Sequence, residues 1–553
     1  MKTLWHNGTM YTMEQEGDQV EALLTDNGKI SAVGIYEDLK ERADNEIDLQ
    51  GSVLYPGFVD SHMHMIGHGE KLLSLDLSKA SSAGDMMDML MNAHPDLKSE
   101  EWFIGEGWNE NNFPDKKILT RYELDKVTDS PMILKRTCRH AALANSKALE
   151  LAGISKDTRD PEDGVIMRDA SGEPTGYLKE GAQELVLALI PEPTEESLTR
   201  ALQKSVDDLL SLGLTGGVTD DLGYYGDYKN PLQAFKNVIG EQKKFRAHLL
   251  RRSTVFKQLM EEQATYHEPW IEPGEMKFFI DGALGGKTAY LSKPYTDTPE
   301  TSGMAVITDE EIDRLVKFAR KYGEAIAVHV IGDAAVEKAL DAIEKYPVPT
   351  GKRDRLIHVN VLREDLVERM EKLPIILDIQ PVFVSSDFPW VMERLGGDRL
   401  NWAYAWKKLL DRGFICGGGS DAPIEEVDPL LGIYAAVTRR KPGETQTHEG
   451  YLPNEKLSRF EAVGLFTTGS AGTIGKADVR GKLVPGFDAD FTVLDRDLFQ
   501  VEEEEIVAAN VVMTVVAGEV MYRGDERISP VSGNPIITAG NRSYNLSIDH
   551  NCR

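Results

Sequence analysis

The stretch PGFVDSHMHMIGHG, residues 56–69, places His62 and His64 one residue apart at the end of a run of apolar and β-branched residues. A period of two puts both imidazoles on one face of a strand, as a chelating pair needs. Alone, the pair reads equally well as two metal ligands or as a core and a surface histidine that happen to be close. His68, four residues on in a Gly-rich loop, reads as a supporting or exposed residue rather than a ligand. What surrounds the stretch has to decide.

Upstream, TLWHNGTMYT, VEALLTDNGKISAVG and NEIDLQGSVLYPG alternate short β-type runs with turn signals. Near the other end, GKLVPGFDADFTVLD (481–495) and NVVMTVVAGEVMYRG (510–524) repeat that style, VVAGEVMY as a hairpin. Chain ends often lie close together, so residues 1–55 plus 477–553 are predicted to form one discontinuous β-sandwich domain. Between them, residues 56–476 alternate β-branched runs with amphipathic helical patterns such as DEEIDRLVKFARKYG. The runs LYPGFVDSHMH, LTGGVTD, FRAHLLR, MKFFIDGAL, AIAVHVIG, RLIHVNV, IILDIQPV and FICGGGSDAP number about eight. The predicted fold class is therefore α/β, a (β/α)8 TIM-type barrel rather than an open doubly wound sheet. The surplus over the roughly 250 residues of such a barrel sits in insertions, the largest at about 85–200. Leaving the end of the first strand, it is predicted to act as a lid or substrate-contacting subdomain.

Composition narrows the function classes. A net charge of -29 over 553 residues argues against a nucleic-acid or anionic-membrane partner, because phosphate recognition needs clustered Lys and Arg. Cys138, Cys416 and Cys552 are scattered, without a CxxC, as in a reducing cytosol. Neither a signal peptide's apolar core nor an 18-residue apolar segment is present in the sequence, so a cytoplasmic, soluble protein is expected.

Catalytic groups in a barrel come from the C-terminal ends of its strands. Those ends carry His62 and His64, Lys277 in MKFFIDG, His329 in AIAVHVIGD, His358 in RLIHVNV and Asp421 in GGGSDAP. Singly, His329 and His358 could be hydrogen-bonded core histidines and Asp421 a turn cap. Lys277, followed by Phe278 and Phe279, is harder to dismiss, since an isolated buried ammonium is costly. Six coincidences at strand ends are less economical than one site. Neutral imidazoles plus a carboxylate, without cysteine, suit a divalent metal of the zinc type. Two metals would need a further bridging group, and a lysine made partly neutral by burial can add carbon dioxide to become a carbamate.

With these residues in place the chain resembles the amidohydrolase superfamily, and within it the YtcJ-like branch that includes N-substituted formamide deformylase. PGFVDSHMH is similar to the superfamily's HxH signature, and GKLVPGFDADFTVLD to its returning sandwich segment. RHAALANSKALELAGI, DGVIMRDASGEPTGYLKE, KFFIDGALGGKTAYLSKPYTD, VHVIGDAAVEKALDAIE and GGGSDAP resemble motifs of the branch. The resemblance implies two Zn ions: His62, His64 and Asp421 on one, His329 and His358 on the other, and carboxylated Lys277 between them. It implies hydrolysis of a non-peptide C–N bond in a small-molecule amide, such as an N-acyl or N-formyl amine, with Asp421 as both ligand and proton shuttle. Ile357 departs from the branch, which commonly has an acidic residue before the sixth-strand histidine. Trp108, His140 and Glu180 are the candidate substrate contacts in the insertion, Trp108 reading more readily as ordinary packing, and Arg139 is a candidate for a substrate carboxylate or, more commonly for an arginine, a surface ion pair. Two alternatives stay open: a mononuclear deaminase or isomerase with unmodified Lys277, and a non-catalytic binding protein. A homodimer is left open as well.

Overall fold

The β-branched runs between residues 56 and 420 pair side by side in chain order as eight parallel strands. They are β1 (Phe58–Met63), β2 (Leu214–Leu222), β3 (Arg246–Arg252) and β4 (Ile271–Phe279), followed by β5 (Ile326–Val330), β6 (Asp354–His358), β7 (Ile375–Ile379) and β8 (Cys416–Gly418). The computed structural model of the chain describes residues 2–93, 102–114, 116–136, 141–161, 163–444 and 448–524. Just past β8, the Asp421 N–H donates to the His62 carbonyl at 2.8 Å and the His64 N–H to the Ala422 carbonyl at 2.7 Å, joining the last strand's extension to the first. Every residue of β2, β6 and β7 is buried, as in a parallel sheet covered on both faces. The helices that cover it follow sequence rules. Asp309–Lys321 buries Ile312, Leu315, Val316 and Ala319, spaced by three and four, and Thr308 caps its start by accepting from the Glu311 N–H.

Burial in the barrel includes charge. Arg355 on β6 is fully buried, and one guanidinium nitrogen reaches both Asp378 oxygens, at 2.8 and 3.0 Å. A second donates to the Thr473 carbonyl at 2.7 Å, and Nε lies 3.3 Å from Glu275. Breaking such a pair from one side strands the other charge, which costs about 3–5 kcal/mol. Arg355→Met is therefore expected to lower the unfolding free energy, read by urea denaturation, by an amount in that range. A loss below about 1 kcal/mol, the scale of a surface pair, would contradict this role.

Early and late parts of the chain build two sheets, the first from early strands alone and the second from both. One orders Lys29–Gly34, Ala22–Asp26, Lys2–His6 and Asn45–Asp48. The other orders Glu519–Arg523, Val511–Val516, Phe491–Leu494, Val53–Pro56, Thr9–Tyr11 and Gln19–Val20, so three late strands and three early ones form one ladder, joined where Phe491–Leu494 pairs with Val53–Pro56. Trp5, Leu23 and Ile30 from the first sheet share an apolar core with Leu54, Phe491, Val493 and Met513 from the second. The barrel strand β1 grows directly out of this sandwich: the Gly57 N–H donates to the Asp490 carbonyl and the Phe58 N–H to Thr492 Oγ1.

A second compact unit spans Gly69–Thr194. It starts earlier than the sequence pattern places it, because the helix Met65–Leu73 carries the chain straight out of β1. Its six-stranded sheet encloses one core with Leu77, Leu90, Phe103, Trp108 and Leu134 and another with Ile133, Leu149, Ile166 and Leu178. The fold is thus a (β/α)8 barrel with a β-sandwich built from both ends and an inserted α/β unit. Among the described residues no helix is long and apolar enough to cross a membrane.

Candidate metal centre

At the junction of β1 and β8, His62, His64 and Asp421 offer three ligand atoms that all lie within 4.8 Å of one another. Nε2 of each histidine is 3.4 Å from Asp421 Oδ1. A buried carboxylate holds this corner in shape. Asp60 accepts from the His62 N–H at 2.9 Å, the Ser420 N–H at 3.0 Å and the Ser420 hydroxyl at 2.6 Å. The GGGSD run explains how the strands come so close: a Cβ on Gly417 would lie 2.7 Å from Ser61 Cβ, and one on Gly419 2.7 Å from the His62 nitrogen. Asp421 itself sits at φ +58°, a left-handed conformation that aspartate tolerates better than most residues.

Lys277 enters from β4 and is fully buried. Its amine lies 3.5 Å from His62 Nε2 and 4.7 Å from the Phe279 ring centroid, and among the described residues it makes no ion pair. Burial brings its pKa down to about 8, and the charge of Asp220 opposes that fall. Asp220, on β2, is itself fully buried with neither carboxylate oxygen hydrogen-bonded, a costly state in a closed interior.

From β5 and β6 come His329 and His358, with ring centroids 4.5 Å apart, His358 being 5.6 Å from the His62 ring. Successive strand residues normally alternate in direction, and Ile357 already packs with Val218, Leu250 and Ala327. The backbone resolves the conflict at His358 (φ +78°) and Val359 (φ +44°), whose left-handed turn aims the imidazole toward the other histidines. Such strain costs on the order of 1–3 kcal/mol per residue and persists where surrounding structure enforces it. Ile357 thus lies in apolar packing and not among the imidazoles.

The hydrogen bonds of three rings fix which nitrogen is free. His64 Nδ1 donates to the Asp220 carbonyl at 2.9 Å, His329 Nε2 to the Gly282 carbonyl at 3.2 Å and His358 Nδ1 to Gln380 Oε1 at 2.7 Å. That leaves lone pairs on His329 Nδ1 and His358 Nε2, and on His64 Nε2 once a cation displaces the proton it shares with Asp421, the arrangement of ligating histidines held by an outer partner. Burial, then the Lys277 charge, hold the His62 pKa well below its usual value; burial and the neighbouring His358 do the same for His329. Burial takes His358 down to about 4. Burial would also lower His64, but its bond to Asp421 outweighs this and lifts it to about 9. Asp421 moves the other way: burial would raise it, and His64 leads the groups that lower it instead. Four imidazoles, one ionised carboxylate and a buried amine, with a further unpartnered carboxylate beside them, fit a divalent cation of the zinc type.

The remaining candidates divide. Of the two readings of Trp108, packing holds and substrate contact does not: it is 0% exposed in the core of the inserted unit, with its indole N–H bound to the Leu134 carbonyl at 2.9 Å. Glu180 belongs to the same unit and holds φ +49°, ψ −133°, a conformation that strains any residue but glycine. His140 and Arg139 lie outside the described residues. His68 is buried and paired with Asp208 at 2.8 Å. Sequence reasoning missed Asp220, Asp221, Tyr224 and Arg252. The signal was the acidic pair that ends the β2 run, LTGGVTDD, at the position where a barrel strand delivers its side chains.

A family model described as the Amidohydrolase family matches residues 45–522. A Bacillus subtilis (strain 168) protein carrying the name amidohydrolase YtcJ is 48% identical over 528 residues, covering 94% of this chain and 99% of that one. N-substituted formamide deformylase of Arthrobacter pascens is 27% identical over 93% of this chain and 97% of its own. Among solved structures, an uncharacterized metal-dependent hydrolase from Pyrococcus horikoshii OT3 superposes with a TM-score of 0.75 at 30% identity, covering 91% of this chain and 99% of that one. The barrel, the converging histidines and these likenesses agree: the chain belongs to the amidohydrolase family.

Proposed function

We propose that the protein hydrolyses a non-peptide amide C–N bond of a small molecule, an N-acyl or N-formyl amine, at two divalent metals of the zinc type. In this reading His62, His64 and Asp421 would hold one metal, His329 and His358 the other, and Lys277, as a carbamate, would supply the further anionic ligand that two metals need. The observation that carries it is Lys277: a fully buried amine without an ion-pair partner among the described residues, its pKa brought down to about 8, set against His62. Its neutral form adds carbon dioxide, releases one proton and gains the negative charge that a bridge requires. When bound, the metals supply Lewis acidity, making water acidic enough to lose a proton near neutral pH and polarising the scissile carbonyl.

The chain's own groups handle the proton. Asp421, held ionised by His64, accepts it from the attacking water and returns it to the amide nitrogen as the C–N bond breaks. The products are a carboxylic acid and an amine. The test is a screen of N-formyl, N-acetyl, cyclic-amide and ester substrates on zinc-reconstituted protein. Turnover of an acyclic amide, abolished by chelation and restored by zinc, is expected; turnover confined to esters or to none of the four would overturn the reading. A second reading, a mononuclear deaminase or isomerase with unmodified Lys277, draws on the tight grouping of His62, His64 and Asp421 alone. Counting metals with and without bicarbonate separates the two.

A further inference from the structure

Arg252 ends β3 and is paired in register with Lys277 on β4, so the two side chains leave the sheet on the same face. Its guanidinium lies over the Tyr224 ring, 4.0 Å from the centroid, and over the Phe279 ring at 4.8 Å. Those two rings lead in opposite directions around the metal centre. Tyr224 meets His64 edge-on at 5.2 Å, and Phe279 is 4.9 Å from the His329 ring. Arg252 is therefore one aromatic ring away from a histidine of each predicted metal.

What the guanidinium lacks is as informative as what it has. It is half-buried, and among the described residues it makes neither an ion pair nor a side-chain hydrogen bond. Asp221, at the end of the neighbouring strand β2, accepts through Oδ2 from Thr219 Oγ1 at 2.6 Å and the Ile66 N–H at 3.1 Å, and its Oδ1 is buried without a hydrogen-bond partner. With rings packed against it, a planar guanidinium keeps its edge for hydrogen bonding, and that edge is a fork of N–H donors matched to a carboxylate. A half-buried cation fixed this way beside the imidazoles, with no ion pair among the described residues, is poised for an anion carried by the substrate.

We propose that Arg252 is a specificity residue that binds a carboxylate on the amine side of the substrate, so that the preferred substrates are N-acyl or N-formyl amino acids rather than neutral N-alkyl amides. A carboxylate on the carbon next to the amide nitrogen lies close to the scissile bond, as Arg252 lies close to the imidazoles. The inference rests on the hydrolase reading above for its chemistry, but its binding test does not.

Two matched pairs test it: N-acetylphenylalanine against N-acetylphenethylamine, and N-acetylglycine against N-methylacetamide, each pair differing by the carboxylate. Calorimetry on metal-free protein reads binding, and kcat/KM on zinc-reconstituted protein reads turnover. In the wild type the acid of at least one pair is expected to be favoured. Arg252→Met should weaken that acid by about thirtyfold or more, chiefly through Kd and KM, and change the neutral partner by less than about threefold. Arg252→Lys, which keeps the charge without the fork, should recover only part of the loss. A binding preference for the acid without turnover of any amide would sustain Arg252's role while overturning the hydrolase reading. Equal binding within both pairs, no binding, or an equal loss for acid and neutral amide in Arg252→Met would overturn the inference.

Discussion

Asp421→Asn is expected to lower kcat for amide hydrolysis by roughly 10²–10⁴-fold while leaving the fold intact. The side chains are nearly the same size, and asparagine accepts a left-handed backbone as readily as aspartate, so the φ of +58° is kept. The Asp60–Ser420 hydrogen bonds that shape the corner do not involve the Asp421 carboxylate and should survive. What is lost is a negative charge 3.4 Å from Nε2 of both His62 and His64, together with the only carboxylate of that three-residue group. A neutral amide can neither take the water proton nor deliver one to the departing amine. Circular dichroism should match the wild type, and steady-state rates on the best substrate of the screen should show the drop. A variant that turns over within about threefold of the wild type would remove Asp421 from the chemistry.

Replacing Lys277 is expected to act earlier, on metal occupancy. Lys277→Met keeps the apolar length of the side chain against Phe279 and removes the amine that is 3.5 Å from His62 Nε2. Because a buried ammonium without an ion-pair partner is unfavourable in the metal-free protein, the variant should fold at least as well as its parent. Lys277→Ala removes the same amine but leaves a cavity, so its stability should fall below that of Lys277→Met. Both variants should lose zinc and activity together, with residual hydrolysis at least about a hundredfold below the wild type. If the Met variant lost activity while retaining its metals, Lys277 would serve proton transfer or substrate contact instead of bridging.

The barrel was legible because its strands are buried on both faces and read as continuous β-branched runs between amphipathic helices. The convergence of the six candidate residues was legible for a related reason: strand ends are where a barrel delivers its chemistry, and these six side chains come together in space. His358 is instructive. Alternation from Ile357 would have turned it outward, and only the left-handed turn at His358 and Val359 brings it in, a feature with no periodic signature. Trp108 stayed open between two readings because an aromatic beside glycines reads alike in a pocket and in a core, and its burial depends on the strand pairing of the inserted unit. Asp220 and Arg252 escaped notice because single charges at strand ends look like surface residues until their missing partners become visible.

The most direct test of a two-metal, carbamate-bridged centre is the zinc stoichiometry of the purified protein, measured by mass spectrometry after reconstitution with and without bicarbonate. The arrangement of His62, His64, Lys277, His329, His358 and Asp421 predicts two zinc ions per chain with bicarbonate, fewer without it, and at most one in Lys277→Met whatever the bicarbonate level. Two tightly held ions in Lys277→Met, or a single ion in the wild type at saturating zinc and bicarbonate, would contradict it.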